Sequence, residues 1–174
     1  MAYASVAGAD NNLTSLNGRF VRAFLAEYTF ASLLLDTDEV VNFSTSEIVV
    51  GKWFEVFPIC PYVLPPDYIL AWTEFEKPIE VVNSMQLWRD EWQELAADDR
   101  QFIGAGPRST QFATALDLAP QSANNVVKVL AGIKLVGKDG RCIVVCSSDN
   151  TPFKIDFAVN EQDIERIMKF HTCT

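Results

Sequence analysis

The chain has 174 residues, 49% of them apolar and 21% charged, with a formal net charge of −9. A chain of this length can bury roughly 70% of the surface it exposes when unfolded, so a core needs neither metal nor disulfide. The acidic balance argues against nucleic acid as a ligand, because phosphate contacts need clustered Lys and Arg, and equally against an anionic membrane surface.

The first ten residues, Met1 to Asp10, carry no basic n-region and no long apolar h-region, so no secretory signal is expected. No apolar run approaches the roughly 20 residues that a membrane helix needs. Residues 1–15 read as a disordered tail and 16–174 as a single domain. Without an export signal, Cys60, Cys142, Cys146 and Cys173 are expected to be reduced thiols in a cytoplasmic protein.

A first β block is expected over about 19–57. Residues 19–26 and 30–35 read as two strands around a short turn. Val40, Val41, Phe43, Ile48, Val49 and Val50 extend the pattern across Ser44-Thr45-Ser46, and residues 53–57 add a short strand. Pro58, Pro61, Pro65 and Pro66 then crowd nine residues, which predicts an irregular, extended stretch.

From Pro78 the spacing changes. Val81, Met85, Trp88, Trp92 and Leu95 step by four and three, which predicts a helix over about 79–97 with Pro78 in its first turn. Residues 101–125 are less regular; Gly104–Pro107 reads as a loop and Gln111–Leu118 as a short helix or strand. A second β block follows over about 126–158, with Gly137-Lys138-Asp139-Gly140 as a hairpin turn and Phe153–Ala158 as an edge-like third strand. Asn160 reads as the N-cap of a short closing helix to about residue 170, with Glu161 and Asp163 in its first turn. The fold class expected is α+β, antiparallel sheet with helices packed on one face.

The charge is unevenly spread. Residues 36–99 hold 14 of the 23 acids against three bases, Lys52, Lys77 and Arg89, and carry all four tryptophans. That segment is net −11 and the other 110 residues are net +2. Acid mixed with large aromatics suits a surface that meets a cationic partner.

Catalytic and metal chemistry find little support. The one histidine, His171, stands four residues from the end, where an exposed side chain is expected. Cys142 and Cys146 are four apart in a strand, too far for a bridge or a zinc chelate. Gly104 and Gly106 with Arg108, Ser109 and Thr110 lack the phosphate-loop spacing. Carboxylates are plentiful, but Asp36-Thr37-Asp38-Glu39 stops short of a calcium loop. No catalytic residue, metal or cofactor is expected.

Trp88 and Trp92 are expected in the core. Tyr62, Tyr68 and Trp72, beside the prolines, join Glu74, Glu76, Asp90, Glu91 and Glu94 as the expected partner-binding set. The leading expectation is an acidic binding protein that docks a basic protein, such as an immunity or inhibitor protein neutralising a toxin or effector. A carboxylate-based enzyme or ligand-binding domain, with Tyr62 or Tyr68 orienting the ligand, is the first alternative. A structural subunit of a larger assembly, including a homo-oligomer, is the second.

Overall fold

Strand-forming sequence accounts for nearly every element of the computed structural model, which describes residues 2–6, 16–50, 54–64, 71–92, 116–117, 126–148 and 151–174. In chain order these are β1 (Ala2–Ala4), β2 (Phe20–Ala26), β3 (Ala31–Leu35), β4 (Val40–Thr45), β5 (Ile48–Val50), β6 (Phe54–Val56) and β7 (Ile59–Leu64). Then follow β8 (Thr73–Trp92), β9 (Leu116–Asp117), β10 (Val126–Gly137), β11 (Cys142–Ser147), β12 (Ile155–Ala158), α1 (Glu161–Met168) and β13 (Thr172–Cys173). Among the described residues the architecture is mostly antiparallel sheet with one short helix. Within the stretch read as a tail, β1 pairs parallel with β10; Leu16, the first residue after it, is buried in the core.

The principal strands run in the order β12-β11-β10-β8-β2-β3-β4-β7, and β5 with β6 forms a separate hairpin. β8 joins two halves. Its first part pairs with β2 up to Glu80, and its second part pairs with β10 from Val81 onward. At the handover the backbone is bonded from both sides: Lys138 N donates to Glu80 O at 2.8 Å, and Val81 N donates to Arg19 O at 2.9 Å. The sheet folds over itself about this strand. Leu33, Phe43 and Ile59 from one half pack with Ile133, Val145 and Ile155 from the other in a single core.

The helix expected over 79–97 is therefore not there; residues 73–92 are a 20-residue strand, and 93–99 lie outside the described residues. The reason is a coincidence of spacing. Steps of four keep side chains on one face of a strand as well as of a helix. Val81 and Trp88, seven apart, also share the core side. A regular strand forbids that, but Val81 pairs with Gly137 and Asn83 with Val136, so Val82 is an extra, bulged residue that flips the alternation. Pro78 likewise sits not in a helical turn but in an irregular stretch, where two steps on β2 (Val21 to Ala23) face five on β8 (Ile79 to Glu74).

The proline-rich stretch also differs from expectation, since residues 59–64 form β7. Pro61 faces Phe43 of β4, and β7 ends the strand order. A proline's missing donor is tolerated on an edge strand, which has one row of backbone groups outside the ladder. Other expectations hold. Gly140 closes the β10–β11 hairpin at φ +89°. In that turn Arg141 N and Nε donate to the Asp139 carboxylate at 3.1 and 2.9 Å, and the Arg141 side chain holds its pKa below the usual carboxylate value. Asn160 caps α1, its Oδ1 accepting from Asp163 N at 2.9 Å. The loop at 104–110 falls outside the described residues.

α1 roofs the outer face of the second half, where Ile167 packs on Leu87, Val144, Cys146 and Ala158. Cys146 serves there as a small buried apolar group. Beneath it Gly132 lies against Cys146, and a Cβ at Gly132 would run into the Val145 carbonyl oxygen. Gly132→Ala is expected to cost about 3 kcal/mol through overpacking. Urea unfolding monitored by tryptophan fluorescence measures it.

Candidate binding face

Alternation along the strands of the first half sends one set of side chains to the core and the other outward. The outward set falls into two rows. Glu74, Ala23, Leu34, Val40 and Leu64 are consecutive cross-strand neighbours over β8, β2, β3, β4 and β7. Ala23, Leu34 and Val40 are buried, and Leu64 and Trp72 pack on them as a separate apolar cluster. Beside it runs a second row, Leu25, Ser32, Asn42 and Tyr62. Among the described residues no helix covers this face, in contrast to the roof that α1 gives the other half.

The second row is wired by hydrogen bonds. Ser32 Oγ donates to Asn42 Oδ1 at 2.6 Å, and Asn42 Nδ2 donates to Tyr62 Oη at 2.5 Å. Ser32 and Asn42 are fully or almost fully buried, whereas Tyr62 on the edge strand is 40% exposed. A buried amide is tolerable only when so satisfied. Tyr62 is thus fixed by a chain of polar groups that reaches into the sheet.

A groove of about 460 Å³ opens over this row. Thr29 and Phe30 from the β2–β3 turn, Asn42, Ser44 and Thr45 from β4, and Tyr62 and Leu64 from β7 line it. Phe153, from the second half, closes it. The turn before β12 docks onto the β2–β3 turn, Ile155 N donating to Tyr28 O at 2.9 Å, and that contact brings Phe153 across. Phe153 adopts φ +63°, a left-handed conformation costly for a bulky residue. Its ring leans edge-on against Phe57, centroids 4.9 Å apart, and remains 47% exposed.

The expected partner-binding set divides. Tyr62, Trp72 and Glu74 share the face just described, and Glu76 is exposed in the irregular stretch of β8. Asp90 and Glu91 are fourteen or more residues further along β8, paired with β10. Tyr68 and Glu94 lie outside the described residues. Bases from other segments meet much of the acid of 36–99: Arg19–Glu39 at 3.4 Å, Arg22–Asp38 at 2.6 Å, Lys138–Glu80 at 3.6 Å and Lys128–Asp90 at 4.0 Å. Within the segment, Arg89 pairs with Glu91 at 2.8 Å. Among the described residues, Asp36, Glu74 and Glu76 have no base within ion-pair distance.

Sequence reasoning missed Phe153, Asn42 and Arg89. Nothing marks Asn42 in a run of β-branched residues, and a phenylalanine carries no sign of a left-handed backbone. Arg89 is only 5% exposed. Its Nη1 donates to Ser147 O at 2.7 Å and lies 3.3 Å from His171 Nε2. The Ile167 carbonyl, 2.8 Å from His171 Nδ1, can only accept, so Nδ1 bears the hydrogen and Nε2 takes one from Arg89. His171, expected to be exposed, is half-buried and clips the C-terminal segment to β8. Among the described residues no group of His, Cys, Asp and Glu is arranged to hold a metal, and no helix is long and apolar enough to cross a membrane.

No protein-family model, curated protein or solved structure matches the chain. Its function is therefore argued from this face.

Two substitutions test the architecture. Asn42→Ala strands the buried Ser32 hydroxyl and is expected to cost about 2 kcal/mol in urea unfolding, more than Tyr62→Phe at the exposed end of the same chain. Arg89→Ala removes the donors to Ser147 and His171 and is expected to cost about 3 kcal/mol by the same measurement.

Proposed function

We propose that this chain is an acidic binding protein that docks a basic protein partner, and that the outer face of the first half is its docking surface. The reading rests on one observation: Tyr62, Leu64, Trp72 and Glu74 lie on one face, around the buried Ala23, Leu34 and Val40, and no described helix covers it. Aromatic and aliphatic groups supply contact area that excludes water, and the rim carries carboxylates. Glu74, Glu76 and Asp36 keep their charge available for a partner's bases. The net charge of −9 adds long-range attraction, which raises encounter rates with cationic proteins. Neutralising a basic toxin or effector is the cellular role this physics suits.

The test uses a lysine- and arginine-rich peptide as the probe, immobilised, with the full chain in solution. Its association rate is expected to fall at least about tenfold between 20 and 300 mM NaCl, concentrations that span the onset of screening. Glu74→Lys with Glu76→Lys is expected to weaken binding more than Glu161→Lys with Glu165→Lys, which changes net charge equally on α1. A salt-insensitive association, or equal weakening by the two double variants, rules the docking face out.

A further inference from the structure

We infer that the groove between Tyr62 and Phe153 is a second kind of site, a receptor for an uncharged, hydroxyl-rich ligand the size of one or two sugar rings. The inference is independent of the electrostatic reading. It begins with what lines the groove: three hydroxyls (Thr29, Ser44, Thr45), one amide (Asn42), three rings (Phe30, Tyr62, Phe153) and Leu64. No lysine, arginine, aspartate, glutamate or histidine is among the described lining residues. An ionic ligand entering it would lose hydration with no opposite charge to replace it. A neutral ligand meets no such penalty.

The direction of the hydrogen bonds narrows the chemistry. Asn42 Oδ1 is occupied by Ser32, and Asn42 Nδ2 spends one hydrogen on Tyr62 Oη. Having accepted from Asn42, the Tyr62 hydroxyl has its own hydrogen to give outward. The row therefore ends as a donor, and the Ser and Thr hydroxyls around it can donate or accept. A polyol, which offers both functions on adjacent carbons, matches that mixture. The apolar C–H face of a pyranose is suited to the rings, which present flat apolar area with a polar handle at Tyr62.

Two further features point to a built site. The volume of about 460 Å³ is within the usual range for small-ligand pockets, roughly 300–1,000 Å³. Phe153 holds a strained backbone and an exposed ring at the mouth, a position where glycine would be the default. Strain retained beside a polar groove is a signature of function.

The experiment titrates the full chain with uncharged saccharides (maltotriose, cellobiose, lactose, chitobiose and mannobiose), using saturation-transfer NMR and calorimetry at 50 and 500 mM NaCl. At least one sugar is expected to bind saturably, with an affinity that differs less than about twofold between the two salts. Tyr62→Phe keeps the ring and loses the donor, and is expected to weaken binding about tenfold, the value of one well-made hydrogen bond. Phe153→Gly relieves the backbone while removing the ring, so binding is expected to vanish with the urea midpoint unchanged or raised. The inference is overturned if no sugar in the panel binds, if binding survives both substitutions, or if affinity falls steeply with salt. The last result would assign the groove to the charge-driven partner instead.

Discussion

One strand holds the two halves of this molecule in register. β8 is 20 residues long, a contour of roughly 65 Å at about 3.3 Å per residue, far more than one sheet of a small domain requires. It serves as the central neighbour of β2 in one half and of β10 in the other. Its two irregularities are what let it do so. The stretch before Ile79 turns the first part against β2, and the bulge at Val82 returns the core side to the correct residues beyond it. A one-residue slip at either point would send Ile79 or Trp88 to the outside.

Among the described residues the halves differ in what lies over them, and the proposed docking surface is the face without a described helix. In the second half, Leu87, Val144, Cys146 and Ala158 are outward-facing apolar groups, and α1 with β13 buries them. In the first half, the outward row is smaller and includes Ala23, and its neighbour is polar. Ser32 and Asn42 are joined by a hydrogen bond, so the polar groups buried in this face are satisfied within it. The Arg89 network belongs to the other side, where it secures the C-terminal segment on which that half's cover depends.

Much of the fold was legible in the sequence, and the exceptions share a cause. Both β blocks, the Gly140 hairpin and the Asn160 cap rest on local signals: alternation, turn residues and a capping side chain. The misread segments depend on partners distant in sequence. Val81 and Trp88 imitate a helical stripe because a bulge, set by the pairing of Val136 with Asn83, puts residues seven apart on one side. The prolines near 61 read as irregular because nothing local reveals that β7 is an edge. Tyr62, Trp72 and Glu74, which the fold brings to one face, were singled out by composition alone. Asn42 and Phe153 were not, since one owes its importance to register across three strands and the other to a contact between halves.

The two proposed modes, charge and groove, would act at different distances, which lets a single acidic chain carry both. At physiological ionic strength a field decays over about 8 Å, so net charge governs approach and little of what happens in contact. Local pairing strengthens the division. Arg19, Arg22, Lys128 and Lys138 come from outside the acidic segment and meet its carboxylates one by one, so the surface is negative without being a continuous acid sheet. None of these paired residues is among the groove's described lining, and Asn42 on its floor is hydrogen-bonded to Ser32 and Tyr62. On the proposed reading, a partner's charge brings it to the face, while uncharged contacts select what enters beside Tyr62. The proposed groove contact is indifferent to salt and the proposed docking is not, so ionic strength would separate the two modes in one molecule without any change of sequence.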